Sequence, residues 1–284
     1  MTVLEAIQKG ADFLARKGVD TPRLQIELLL AHVLKSPRMK LYLDFERQLT
    51  PTEADTLREL IKRRGQREPL QHILGTASFC GLEITVNRHV LVPRPETELL
   101  AEAGWQFLST LNHQPATAYD FGTGSGCIAI VLAVRCPTSR VLATDISSDA
   151  LAVAGENAAR HSVGDRIEFL CGAGFASLPA DGRSDLIISN PPYIPSAEIE
   201  SLQPEVRDFD PRQALDGGPD GLSFYRLIAE RAAAFLVPDG KVMVEVGNEQ
   251  AGPAREIFQA QMWIVEAVKQ DYTECPRILI ARRK

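Results

Sequence analysis

The chain has 284 residues, 45% of them hydrophobic and 24% charged, which excludes collagen-like, disordered and low-complexity proteins. Its formal charge of −6 argues against a protein that coats nucleic acid by charge alone. No apolar run approaches the roughly 18–20 residues that cross a bilayer. The charged stretch Met1–Gly18 does not read as a signal peptide. The five cysteines form no CxxC pair, so neither a disulfide framework nor a zinc site is expected. A reduced, cytoplasmic protein is the expectation. The charge is uneven: the first 75 residues hold 13 basic and 10 acidic residues, the remainder 18 and 27.

Residues 1–75 read as a small helical bundle. Thr2-Val-Leu-Glu5 and Thr50-Pro51-Thr52-Glu53 have capping-box spacing, and Asp20-Thr21-Pro22 starts a helix with proline where its missing N–H costs nothing. Residues 76–93 read as a linking β-hairpin, with strands Phe79–Val86 and His89–Val92 about a turn at Asn87-Arg88. Pro93-Arg94-Pro95 stops the strand, and Glu96–Leu108 returns to helical periodicity. From Ala118 strand and helix alternate. The strand candidates are Ala118–Phe121, Arg140–Asp145, Ile167–Cys171, Asp185–Ser189, Lys241–Val246 and Arg277–Ala281. This alternation makes residues 94–284 an α/β domain with a mostly parallel sheet. The long connection Pro191–Leu222 has no clear periodicity, and segments of that length in compact domains are usually functional.

Asp120-Phe121-Gly122-Thr123-Gly124-Ser125-Gly126 joins the first of these strands to a helix. Glycines let a ligand approach the main chain, and the helix N-terminus offers free N–H donors. Cys127 stands where a dinucleotide fingerprint needs its third glycine, and no P-loop lysine follows. The G-x-G-x-G spacing resembles the first motif of class I S-adenosylmethionine (SAM) methyltransferases. Asp145 ends the next strand about 20 residues on, where an acid accepts from both ribose hydroxyls. A helix cap is its structural alternative, a role also open to Ser147 or Ser148.

Asn190-Pro191-Pro192-Tyr193 follows the apolar run Asp185–Ser189. Two prolines hold the backbone extended and contribute no amide donors. The carbonyls of Asn190 and Pro191, with the Asn190 side chain, can accept both hydrogens of a planar –NH2 group, and Tyr193 can lie against its plane. Fixed acceptors orient such a nitrogen and stabilise charge developing on it. A strand-ending turn is the alternative.

At these residues the sequence resembles the PrmC/HemK family, the protein-(glutamine-N5) methyltransferases of peptide chain release factors. The resemblance spans nearly the whole chain: Glu68-Pro69-Leu70-Gln71 with Phe79, Pro93 to Glu98, Asp120 to Gly126, Asn190 to Tyr193, Glu205-Val206, Pro211 with Ala214-Leu215, Gly217 to Leu222, and Asp271-Tyr272 to Arg277. It implies a class I, Rossmann-like fold with a mostly parallel seven-stranded sheet and an N-terminal substrate-docking bundle. It implies an enzyme that moves a methyl group from SAM, leaving S-adenosylhomocysteine, to the glutamine amide of the Gly-Gly-Gln loop in class I release factors, modulating translation termination. Asn190, Pro191 and Tyr193 would be catalytic. Asn190 to Tyr193 and Arg94 would hold substrate. Gly122, Thr123, Gly124, Ser125, Gly126, Asp145, Gly174, Phe175 and Asn190 would hold the cofactor. The expected partners are class I release factors, with no membrane, no direct nucleic acid, no metal and a monomeric state.

One departure falls after the third strand of the α/β domain, where the family has an acid followed by an aromatic residue beside the adenine. Ala173 and Gly174 stand there, leaving Phe175 as the available apolar wall. Smaller departures are His72, where tyrosine is more usual, and Asp210, where glutamate is. Arg94 either reaches a ligand or pairs with Glu96 or Glu98. Cys127 begins a helix, which favours a lowered thiol pKa, yet no histidine partner is evident. The histidines lack metal-ligand spacing. Asn-Pro-Pro-Tyr also fits methylation of adenine or cytosine amino groups in nucleic acid, and Ala173 with Gly174 would fit a non-catalytic binding protein on the same scaffold.

Overall fold

The computed structural model describes all 284 residues and divides them into two units. One comprises Met1–Thr76 together with Gln203–Phe209; the other comprises Ala77–Leu202 and Asp210–Lys284.

The first unit holds α1 (Val3–Arg16), α2 (Pro22–Val33), α3 (Pro51–Gly65) and the short α4 (Leu70–Leu74). Both anticipated capping boxes form: Thr2 Oγ1 accepts from Glu5 N at 3.1 Å, and Thr50 Oγ1 from Glu53 N at 3.2 Å, with each glutamate reaching back. Apolar residues at helical spacing meet in one core that includes Ile7, Leu14, Ile26, Leu30 and Leu57. The late segment 203–209 joins this unit through Glu205. Its carboxylate accepts from buried Arg64 at 2.7 Å and, bidentately, from Arg67 at 2.6 Å, which holds it below the ordinary glutamate range despite burial.

A hairpin of β1 (Thr76–Phe79) and β2 (Leu82–Thr85) follows, all of it but Thr76 in the second unit. Its turn lies at Cys80-Gly81, not at Asn87-Arg88. Both turn residues have positive φ, +51° and +79°, which suits the tight two-residue connection of a twisted hairpin. Residues 89–92 form no strand; Val90 and Val92 are buried in the core instead.

Then follow α5 (Pro95–Ser109), β3 (Thr117–Phe121), α6 (Cys127–Arg135), β4 (Arg140–Asp145), α7 (Ser148–Arg160), β5 (Ile167–Cys171) and β6 (Ser184–Ser189). After the four-residue α8 (Pro204–Arg207) come α9 (Ser223–Arg231), β7 (Leu236–Glu245), α10 (Ala251–Ala260), β8 (Trp263–Gln270) and β9 (Pro276–Arg283). All six strands read from the sequence form, and β8 is the seventh. The order is β5-β4-β3-β6-β7-β9-β8, parallel through β7, with β9 antiparallel to β7 and to β8. One core gathers α5, α6, α7 and the hairpin; the other gathers α9 and α10. Helices therefore cover both faces, and every residue of β6 is buried.

This order places the site. The chain leaves β3 toward β4 on one side and later toward β6 on the other, so the connections after β3 and β6 diverge. A crevice opens at such a switch point, beyond the carboxyl ends of the strands.

Candidate active site

The crevice is a cleft of about 400 Å³, within the range of small-ligand sites. Its wall includes Gly122, Gly124, Asp145, Ala173, Gly174, Asn190 and Pro192. The motifs after β3, β4, β5 and β6 thus meet in one place.

The glycine loop is pinned by its own backbone: the amides of Gly122 and Thr123 both donate to Thr144 O, at 3.0 and 2.9 Å. Gly122 and Gly124 take φ of +72° and +54°, and a Cβ on either would project into open space. Side chains there would be strained and would intrude on a ligand lying over the loop. Thr123, Ser125 and Gly126 stand behind it. Thr123 Oγ1 donates to buried Asp120 at 2.7 Å, and Ser125 O accepts from Asn157 Nδ2 at 3.0 Å. Burial pushes Asp120 up to about 7, and its Oδ1 has no partner.

Asp145 is not the cap of α7. Ser147 caps it, its Oγ accepting from Ala150 N at 3.1 Å. The Asp145 oxygens instead accept one backbone N–H each, from Gly124 and Ser147, both at 2.9 Å. This fixes the carboxylate on the cleft wall with lone pairs to spare.

Phe175 does not line the cleft. It is 4% exposed and its ring lies in an aromatic cluster, stacked on Phe235 at 5.4 Å and tilted against Phe121 at 5.4 Å. Phe121 supplies an aromatic wall instead. A Cβ added to Gly174 would fall 2.2 Å from the Phe121 ring, so that ring fills the space a side chain at 174 would need. Ile146, 65% exposed, together with Phe224 and Leu227 completes an apolar lining.

On the acceptor side Asn190 Nδ2 donates to Thr97 Oγ1 at 3.1 Å, leaving Asn190 Oδ1 uncommitted within the chain. Thr97 Oγ1 donates to Glu245 Oε2 at 2.7 Å, and the Tyr193 hydroxyl points at Glu245 Oε1 from 3.5 Å. Thr97 and Glu245 are each 2% exposed. Burial pushes Glu245 up to about 7, against the pull of Thr97 and Arg277. Burial also raises the Tyr193 hydroxyl pKa, keeping it a neutral donor. Gln250 Nε2 donates to Tyr193 O at 2.8 Å, and the turn around Gly217 closes so tightly on Tyr193 that a Cβ there would lie 2.7 Å from its Cα. Pro191 is buried beneath this surface. The sequence reading assigned no role to Thr97 or Glu245, although Thr97 lies inside the Pro-Arg-Pro-Glu-Thr-Glu run.

Arg94 pairs with neither Glu96 nor Glu98. Its guanidinium donates to the fully buried carboxylate of Asp210 at 2.7 Å, anchoring the segment whose Pro211, Gln213 and Ala214 border the cleft. Glu98 accepts from Cys80 N instead. Cys127, where helix position favours a lowered pKa, goes the other way: burial pushes its thiol up to about 12, so it is an inert small hydrophobe.

A seven-stranded, mostly parallel sheet with a glycine loop after β3, an acid at the end of β4 and Asn-Pro-Pro-Tyr after β6, all at its switch point, is the fold of a class I methyltransferase. The fold is shared with a methyltransferase from Pyrococcus furiosus, 20% identical, at a TM-score of 0.51 over 71% of this chain and 89% of that one. Residues 5–75 match the PrmC N-terminal domain family and residues 100–203 the methyltransferase small domain. A release factor glutamine methyltransferase from Geobacter sulfurreducens is 47% identical over 257 residues, covering 90% of this chain and 88% of that protein. One from Chlorobaculum tepidum is 43% identical over 282 residues, covering 97% and 95%. The chain belongs to the release factor glutamine methyltransferase family.

Proposed function

We propose that this chain transfers a methyl group from SAM to the side-chain amide nitrogen of the glutamine in the Gly-Gly-Gln loop of class I release factors. The observation that carries this reading is the Asn190 amide. Its nitrogen is tied to Thr97, its oxygen has no partner within the chain, and the residue borders the same cleft as the glycine loop and Asp145.

The residues present fit the cofactor. The open faces of Gly122 and Gly124 suit close approach of its amino-acid end, Asp145 its ribose, and Phe121, Ile146 and Ala173 an apolar purine face. When bound, SAM supplies an electrophilic methyl group on a sulfonium. The chain's residues supply orientation. Asn190 Oδ1 and the main-chain carbonyls of the motif accept both hydrogens of the substrate –NH2 and hold its poorly nucleophilic nitrogen in line. They stabilise the positive charge that develops there, and a proton leaves once the N–C bond has formed. No strong general base is needed, because the product amide sheds its extra proton to water readily.

The basic N-terminal unit suits docking of an acidic protein surface. A groove there has Phe13, Leu57 and Ile61 in its floor and Lys9, Arg58 and Lys62 at its edge. A nucleic-acid amino group is the less suited substrate, because residues beyond 75 carry 18 basic against 27 acidic side chains. We place the protein in the cytoplasm as a monomer; no helix is long and apolar enough to cross a membrane. Mass spectrometry of a release factor incubated with this protein and SAM tests the reading. One added methyl group on the Gly-Gly-Gln peptide is expected. An unmodified peptide with transfer to DNA or RNA would overturn it, and calorimetry without SAM binding would point to a non-catalytic scaffold.

A further inference from the structure

We infer that Thr97 and Glu245 are positioning residues, whose buried hydrogen-bond chain dictates which way round the Asn190 amide faces. This rests on the function proposed above. The argument is one of proton counting. The Thr97 hydroxyl has a single proton, and it points at Glu245 Oε2 from 2.7 Å. An ionised carboxylate accepts only, so Thr97 Oγ1 must be the acceptor toward Asn190, and only the nitrogen side of that amide can donate to it. Asn190 Oδ1 is thereby turned away from Thr97. A flipped Asn190 would set oxygen against oxygen, unless Thr97 withdrew its proton from Glu245 and left a buried carboxylate without its closest donor. The flipped amide would also present two N–H donors to a substrate nitrogen that needs acceptors.

Direction along this chain depends on the ionisation of Glu245. The groups facing it are Glu96 and Thr97 from α5, Tyr193 beyond β6, Arg277 on β9, and Tyr225 on α9, whose hydroxyl donates to Glu245 O at 3.2 Å. Burial sets its titration near pH 7. Above that pH the carboxylate only accepts and the chain runs one way. Below it the protonated carboxyl can donate to Thr97, which frees Thr97 to donate in turn and permits the flipped Asn190.

Thr97→Val removes the hydroxyl at nearly constant volume, and Thr97→Ser restores it. With the full-length protein, kcat for a release factor is expected to fall about 10- to 100-fold in Thr97→Val and to recover within about twofold in Thr97→Ser, with the calorimetric Kd for SAM within about twofold throughout. Wild-type kcat should fall on the acid side with a midpoint near 7, and Glu245→Gln, whose amide serves either direction, should be slower and lack that acid limb. A readout that needs no substrate is the Asn190 side-chain amide pair in 15N-asparagine-labelled protein, assigned from its loss in Asn190→Ala. It should shift with pH near 7 in wild type, stay flat in Glu245→Gln, and move in Thr97→Val but not in Thr97→Ser. Wild-type kcat in folded Thr97→Val, or an Asn190 resonance indifferent to both pH and Thr97→Val, would overturn the inference. If wild type transferred no methyl to a release factor while the resonance behaved as described, the proposed substrate would fail and the positioning chain would stand.

Discussion

Around the glycine loop the cleft is walled largely by main chain and apolar surface, whereas around Asn190 it is backed by buried polar side chains. Gly122, Gly124, Gly172 and Gly174 all line the glycine-loop side, with Asp145 beside them. Asn190, Thr97, Tyr193 and Glu245 form a connected polar set behind the acceptor side, with Thr97 and Glu245 nearly inaccessible. The glycine wall is intolerant of added side chains, because Gly122, Gly124 and Gly174 all have positive φ and Phe121 already occupies the space a larger residue at 174 would take. A buried polar network tolerates little, because removing one member strands its partners.

Substitutions should separate the two sides. Asn190→Ala is expected to have the largest effect, a loss of about 100- to 1000-fold in kcat, the range for removing one preorganised partner of a developing charge. SAM affinity measured by calorimetry should change little; a loss confined to that affinity would move Asn190 to the cofactor side. Asp145→Ala should act in the opposite sense. Losing hydrogen bonds to a charged group costs about 1.5–3 kcal/mol, so the Kd for SAM should rise about 10- to 100-fold, with a far smaller change in kcat at saturating cofactor. An unchanged Kd would remove the ribose role. Phe121→Leu is expected to have the smallest effect on binding, about 1 kcal/mol, seen as a roughly fivefold weaker Kd for SAM, with a melting temperature lower by a few degrees because the ring is also part of the buried aromatic cluster. Equal binding by this variant would show that the purine is held by Ile146 and the backbone alone.

The same contrast explains what the sequence could tell. The glycine-loop side is written in short spacings: three glycines within five residues, then an acid at the end of the following strand. Local spacing survives translation into structure because strand ends at a switch point must converge. Thr97 reaches Asn190 across 93 positions and Glu245 across 148, and neither residue carries a local signal for such a contact. β8 was illegible for another reason. Register shifts between Val265 and Ala267 and between Lys269 and Gln270 break the two-residue alternation that marks a half-buried strand. The hairpin turn was misplaced because Cys80 adopts positive φ, for which its residue type gives no warning.

The seven residues Gln203–Phe209 make the N-terminal unit discontinuous in the gene as well as in the chain. A fragment ending near residue 76 would lack Glu205, the carboxylate that pairs with both Arg64 and Arg67. The unit is therefore not a cassette that can be cut at its visible boundary. Exchanging it between relatives would require two crossover points, with the short segment 203–209 carried along.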